Sequence, residues 1–118
     1  MGEAQKLCVI VEDEWLLRME IADGLMALGW DVVEANTGEQ AIALLEEGSY
    51  GLLVTDIRLP GRVTGWDVAE KFRARYPDIL VIYCSANPLI AERRVVNSIF
   101  FSKPVKMELV MAACGQPK

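Results

Sequence analysis

Apolar positions along the chain fall into short unbroken runs that alternate with helically spaced stripes. Leu7-Cys8-Val9-Ile10-Val11 is continuous apolar sequence ending at Glu12-Asp13-Glu14. A run of that length bounded by charge predicts a strand buried on both faces. Leu16, Leu17, Ile21, Leu25 and Leu28 then recur at helical spacing, with Arg18, Glu20 and Asp23 between them and Gly29 as the stop. Asp31 to Ala35 predicts a short second strand. Thr37-Gly38-Glu39-Gln40 has the form of a capping box, with Thr37 as N-cap and Gln40 at N3. A stripe of Ala41, Leu44 and Leu45 follows, ended by Gly48. Leu52-Leu53-Val54 predicts a third strand closing at Thr55-Asp56, then a turn-rich loop from Leu59-Pro60-Gly61 through Gly65. Trp66, Val68, Ala69 and Phe72 start another helix, stopped before Pro77. Ile79 to Cys84 is a strongly apolar fourth strand ending at Ser85. Asn87-Pro88 opens a short helix over Leu89 to Val96. Ile99-Phe100-Phe101 is a weaker fifth strand before Lys103-Pro104, and a last amphipathic segment runs from about Val105 to Cys114.

Strand and helix thus alternate through the chain, which predicts an α/β fold: a doubly wound parallel sheet covered on both faces. No linker, internal repeat or low-complexity segment interrupts the pattern, so residues 1–118 are expected to form a single domain. At 53% hydrophobic residues the chain can bury a real core. Its longest apolar stretches are too short to cross a membrane, and no basic segment followed by an apolar one opens it. A net charge of −5 and a pI of 4.7 argue against a broad grip on nucleic-acid phosphates. The absence of histidine removes Ser-His-Asp triads, Cys-His pairs and histidine-built zinc sites. Cys8, Cys84 and Cys114 are widely spaced and form no CxxC, so a reducing, cytoplasmic setting with the cysteines as small core residues is expected. Any chemistry must then rest on carboxylates, Lys, Ser or Thr, with an added metal.

In an open parallel sheet, sites form beyond the carboxyl ends of the strands. The residues there are Glu12 and Asp13 after the first strand, Asp56 after the third, Ser85 after the fourth and Lys103 after the fifth. Each alone has an ordinary reading. Asp13 can cap the first helix, Asp56 can be a turn residue, Ser85 can cap the next helix, and Lys103 can be a solvated surface lysine. Together at one sheet edge they suit phosphoryl transfer. Clustered carboxylates call for a hard cation with oxygen ligands, an Asp can act as nucleophile, and an ammonium and a hydroxyl can neutralise phosphoryl oxygens.

Four blocks, Val9-Ile10-Val11-Glu12-Asp13-Glu14, Val54-Thr55-Asp56-Ile57-Arg58-Leu59-Pro60-Gly61, Tyr83-Cys84-Ser85-Ala86 and Phe100-Phe101-Ser102-Lys103-Pro104, stand in this order at strand ends. In this the sequence resembles the receiver domain of two-component response regulators, over nearly the whole chain. The resemblance implies a five-stranded (βα)5 sheet of flavodoxin-like topology. It implies Asp56 as phosphoacceptor and Mg²⁺, with Mn²⁺ as a substitute, held by Asp13, Glu12, Asp56 and the Arg58 backbone carbonyl. Ser85, the Ala86 amide and Lys103 would contact the phosphoryl group. Ser85 and Phe100 would form the switch pair, and Pro104 would follow a cis peptide bond. The implied partners are a sensor histidine kinase or histidine phosphotransfer protein, an unspecified output protein and, as one outcome, a second copy of the chain; neither nucleic acid nor membrane is bound directly.

Two departures from the family pattern stand out. Ser85 and Lys103 are 18 positions apart, about one helical turn less than usual, so the fourth helix is expected to be shortened. Arg62-Val63-Thr64 lengthens the loop near Asp56, and Arg58 and Asn87 flank the site as expected tuning positions. The alternative reading is a receiver-like module that binds partners without phosphorylation. A metabolite phosphatase or nucleotide hydrolase finds no support, since Asp56 is not followed by x-Asp and no GxxxxGK is present. The chain is read either as a stand-alone receiver or as part of a longer regulator.

Overall fold

The computed structural model describes residues 6–86 and 91–117. Five strands, β1 (Leu7–Val11), β2 (Asp31–Ala35), β3 (Tyr50–Thr55), β4 (Leu80–Ser85) and β5 (Ser98–Ser102), alternate with α1 (Trp15–Ala27), α2 (Gly38–Ala43), α3 (Gly65–Arg75) and α4 (Met107–Cys114). All strand pairs are parallel, in the order β2-β1-β3-β4-β5. This is the doubly wound arrangement whose order reverses between β1 and β3. The apolar runs are central because they can be: β1 and β3 have neighbours on both sides and helices on both faces, so no position along them needs a polar side chain.

The alternation of side chains along each strand divides the core in two. Val9, Val11, Leu53, Val81 and Tyr83 pack with Trp66, Val68, Ala69 and Phe72 of α3 on one face. Cys8, Ile10, Leu52, Val54, Ile82 and Cys84 pack with Ile21, Ala22 and Leu25 of α1 and Val110 and Cys114 of α4 on the other. All three cysteines are buried free thiols. Burial pushes the Cys84 and Cys114 thiols up to about 12, so they behave as inert core residues.

Three local expectations are modified. Leu16 does not join the buried stripe of α1 and is 61% exposed. It precedes Leu25 by nine residues, about two and a half helical turns, which puts it on the opposite side of the helix. In the second helix, Thr37 Oγ1 accepts from the Gln40 amide at 3.0 Å, but the Gln40 side chain reaches back to the Asn36 amide at 2.9 Å rather than to Thr37. The longer glutamine side chain reaches one residue past the N-cap. The helix expected over Leu89 to Val96 is represented, among the described residues, by a single 3₁₀ turn at Ala91–Arg93; Asn87 and Pro88 lie outside the described residues.

The chain after that turn is fastened by polar contacts in place of helix packing. Arg93 pairs with Asp67 and Glu70 of α3, Arg73 donates to the carbonyls of Val96 and Ile79, and the Tyr83 hydroxyl accepts from the Val95 amide. The lengthened loop before α3 is tied to α2, with the Arg62 amide donating to Glu39 at 3.0 Å.

Candidate functional site

Backbone hydrogen bonds continue the sheet ladder one residue beyond the strands and thereby aim the residues that follow. The Glu12 amide donates to the Ala35 carbonyl at 3.0 Å, the Asp56 amide to Val11 at 2.9 Å, and the Lys103 amide to Ser85 at 2.9 Å. Glu12, Asp56 and Lys103 are therefore held by the same register that holds the core. Glu12, Asp56 and Ser85 are buried, Lys103 is partly buried, and Asp13, Arg58 and Ala86 are exposed. Asp13, Glu14, Asp56, Arg58, Leu59, Pro60, Ala86 and Lys103 line an open cleft of about 420 Å³ at this edge.

Lys103 organises the cleft. Its Nζ lies 2.9 Å from Asp56 Oδ2, 3.0 Å from Glu12 Oε1 and 3.0 Å from Glu14 Oε1. The Asp56 and Glu14 contacts are aligned hydrogen bonds. The Glu12 contact is an ion pair by distance only, so Glu12 Oε1 remains a buried carboxylate oxygen with no hydrogen-bond donor. The other Glu12 oxygen accepts from the Glu14 amide at 3.1 Å, and Asp56 Oδ1 accepts from the Ile57 amide at 2.6 Å. The peptide between Lys103 and Pro104 is cis.

Burial raises the pKa of Glu12, with the Glu14 amide and Lys103 pulling it back down and the nearby Asp56 pushing it up. For Lys103, burial disfavours the ammonium, but the carboxylates of Asp56, Glu14 and Glu12 around it outweigh that cost and its pKa is raised. The lysine stays charged wherever the domain is folded under ordinary conditions.

Glu12, Asp13 and Asp56 each present a carboxylate oxygen, and these oxygens lie within 4.8 Å of one another. Such a set, with one buried oxygen lacking a donor, fits a hard divalent cation that takes oxygen ligands and keeps some of its waters. Phe100 sits apart from this cleft, half-buried against Tyr83 with ring centroids 6.4 Å apart.

Two residues at the site carry no signal in the sequence pattern. Arg18 looks like a polar-face residue of α1, yet it donates to the Glu12 carbonyl at 2.7 Å and pairs with Glu34 of β2 at 2.9 Å, pinning the backbone of the first site residue. Gly65 looks like a loop glycine, yet a Cβ there would lie 1.9 Å from the Asp56 carbonyl oxygen. Only a glycine lets α3 start so close behind Asp56.

Comparisons with known proteins identify the family and the fold. A family model described as the response regulator receiver domain matches residues 8–114. The chain is 33% identical over 109 residues to the transcriptional regulatory protein PdtaR of Mycobacterium tuberculosis, covering 89% of this chain and 53% of that protein. It is similar in structure to a response regulator receiver protein from Sinorhizobium medicae, with a TM-score of 0.86, 28% identity and coverage of 92% of this chain and 90% of that one. It is also similar to the receiver domain of the sensor histidine kinase PA1611 from Pseudomonas aeruginosa, with a TM-score of 0.75, 26% identity and coverage of 92% and 93%. That structure holds a magnesium ion coordinated in its active site cleft. The chain spans 10% to 53% of the length of the curated relatives it matches. Among the described residues no helix is long and apolar enough to cross a membrane. With the fold, the strand-end carboxylates and the family match in agreement, the chain belongs to the response regulator receiver domain family.

Proposed function

We propose that this domain takes a phosphoryl group onto Asp56 from the phosphohistidine of a partner histidine kinase or histidine phosphotransfer protein, in the cytoplasm, and so changes which proteins it binds. The observation that carries the reading is the convergence of Lys103 Nζ on Asp56 Oδ2 at 2.9 Å beside Glu12 and Asp13. The chain has no histidine, so the donor is necessarily another domain or protein.

The Asp56 carboxylate attacks phosphorus as the bond from phosphorus to the donor nitrogen breaks; the electron pair stays on the imidazole. The Ile57 amide and the Lys103 ammonium, already on the two Asp56 oxygens, orient the nucleophile. Lys103 then follows the negative charge onto the phosphoryl oxygens, with Ser85 and the Ala86 amide at the adjacent strand end. Glu12, Asp13, Asp56 and the Arg58 carbonyl would hold Mg²⁺, or Mn²⁺ in its place; the ion supplies positive charge that offsets both the carboxylates and the transferring group. The proposed switch pairs Ser85 with Phe100. Phe100 has no hydroxyl, so its movement would be read through packing on Tyr83, whose own hydroxyl holds the Val95 amide.

Intact-mass measurement after incubation with Mg²⁺ and phosphoramidate tests the reading. The expected outcome is one added phosphoryl group on the wild type and none on Asp56→Asn. An unmodified wild type, or equal modification of the variant, overturns it.

A further inference from the structure

Glu14 is the N-cap residue of α1, where a polar side chain ordinarily turns back onto the free amides of the first turn. It makes no such bond. Its carboxylate instead crosses to Lys103 Nζ, and its amide holds Glu12. A lysine ammonium has three donors. Here two of them are hydrogen-bonded, to Asp56 and Glu14, and Glu12 lies within ion-pair distance; the Glu12 side chain is 2% exposed, Asp56 9% and Glu14 65%. A phosphoryl group on Asp56 takes over the ammonium's bond to that residue and draws Lys103 outward toward the phosphoryl oxygens, so a contact to one of the two remaining carboxylates gives way. Glu12 is enclosed and cannot exchange Lys103 for water without a large desolvation cost. Glu14 can, because water already reaches it.

We infer that Glu14 is a positioning residue that holds Lys103 against the entrance of the cleft and competes with the incoming phosphoryl group for it. This rests on the assignment of Asp56 as phosphoacceptor. Before transfer Glu14 neutralises and orients the ammonium. During transfer the Lys103–Glu14 bond is given up and the carboxylate is solvated. The contact exists in the unphosphorylated state and not in the transition state, so it raises the barrier to phosphorylation by its own strength.

The test compares wild type, Glu14→Gln and Glu14→Asp, with phosphoramidate as donor. Its P–N bond breaks as the Asp56 O–P bond forms, and the leaving amine takes a proton from water. Exposed ion pairs are weak, so phosphorylation is expected to be about two- to fivefold faster in both variants at equal Mg²⁺. Glu14→Asp keeps the charge but is one methylene too short to hold Lys103. Equal rates in all three proteins overturn the inference; so does a gain confined to Glu14→Gln, which assigns the effect to charge alone. A second measurement needs neither metal nor donor. In a double-mutant cycle of Glu14→Gln with Lys103→Met, followed by urea unfolding, the two changes are expected to couple by about two- to fivefold in the folding equilibrium. Strict additivity overturns the contact. A wild type that takes no phosphoryl group overturns the Asp56 assignment, and the cycle then still decides whether Glu14 holds Lys103.

Discussion

Helices α1 and α3 each follow a strand that leads into a buried carboxylate, Glu12 for one and Asp56 for the other, and their first turns are built in opposite ways. At α3 the polar groups close on each other. Thr64 Oγ1 accepts from the Asp67 amide at 3.2 Å, and the Asp67 carboxylate accepts from the Thr64 amide at 2.9 Å. The Thr64 amide comes first among the interactions that hold Asp67 below the usual carboxylate range. At α1 the N-cap side chain leaves its helix and bonds a lysine 89 positions away in the sequence. One helix start is a complete local structure that fixes the loop behind Asp56. The other is left open, and its acidic group belongs to the site. One polar group stabilises its own helix, and the other gives up the local cap for a contact across the sheet edge.

The largest break in this contrast is expected at Gly65, the first residue of α3. Gly65→Ala forces its Cβ against the Asp56 carbonyl, and either α3 or the strand end must shift. Destabilisation of about 3 kcal/mol is expected, at the upper end for overpacking a tight site, with slower phosphorylation of Asp56. Urea unfolding midpoints and the mass assay read the two effects; an unchanged midpoint would show that α3 does not need the close approach.

Thr64→Ala makes the α3 start resemble that of α1 by removing its cap. A loss of about 1 kcal/mol is expected in the same unfolding measurement. If the loss is equally small at both starts, when Thr64→Ala is compared with Glu14→Gln, the two first turns do not differ in the way described.

The smallest effect tests the open start. Glu12 has its pKa raised by burial above the ordinary glutamate value of 4.5. A raised value means that the folded state binds the proton more tightly than the unfolded chain. The associated stability is full below the unfolded pKa and is lost as pH rises through the folded value. Metal-free wild type should therefore lose stability on going from about pH 4 toward neutrality through this group. Glu12→Gln removes that loss and is expected to be slightly more stable than wild type at pH 7. Midpoints measured across the range in the presence of a chelator check it, and a variant less stable than wild type at neutral pH would contradict the sign.

Much of the fold was legible because burial on both faces leaves an unmistakable pattern. The apolar runs at Leu7–Val11 and Ile79–Cys84 fall on β1 and β4 within one residue of their observed ends. The meeting of Glu12, Asp13, Asp56 and Lys103 was legible for a related reason: a parallel sheet puts the carboxyl ends of its strands on one edge. Helix faces were less legible. The first turn of α1 is apolar on more than one side, so Leu16 and Leu17 compete for the sheet-facing stripe; the spacing to Leu25 favours Leu17, and Leu16 faces solvent.

The sequence by itself determined the element order, the chemistry available at the sheet edge and the family resemblance that the comparisons bear out, because these depend on residue types and their spacing. Only the tertiary structure decided the partners. Lys103 choosing Glu14 as well as Asp56, Arg18 pinning the Glu12 carbonyl, Gly65 making room for Asp56, and Arg93 and Tyr83 fastening the chain around the 3₁₀ turn are contacts between different elements and loops, whether near or far in the sequence. Such contacts follow from how strands and helices are placed in space, and a side chain's reach across that space leaves no periodic mark in the sequence.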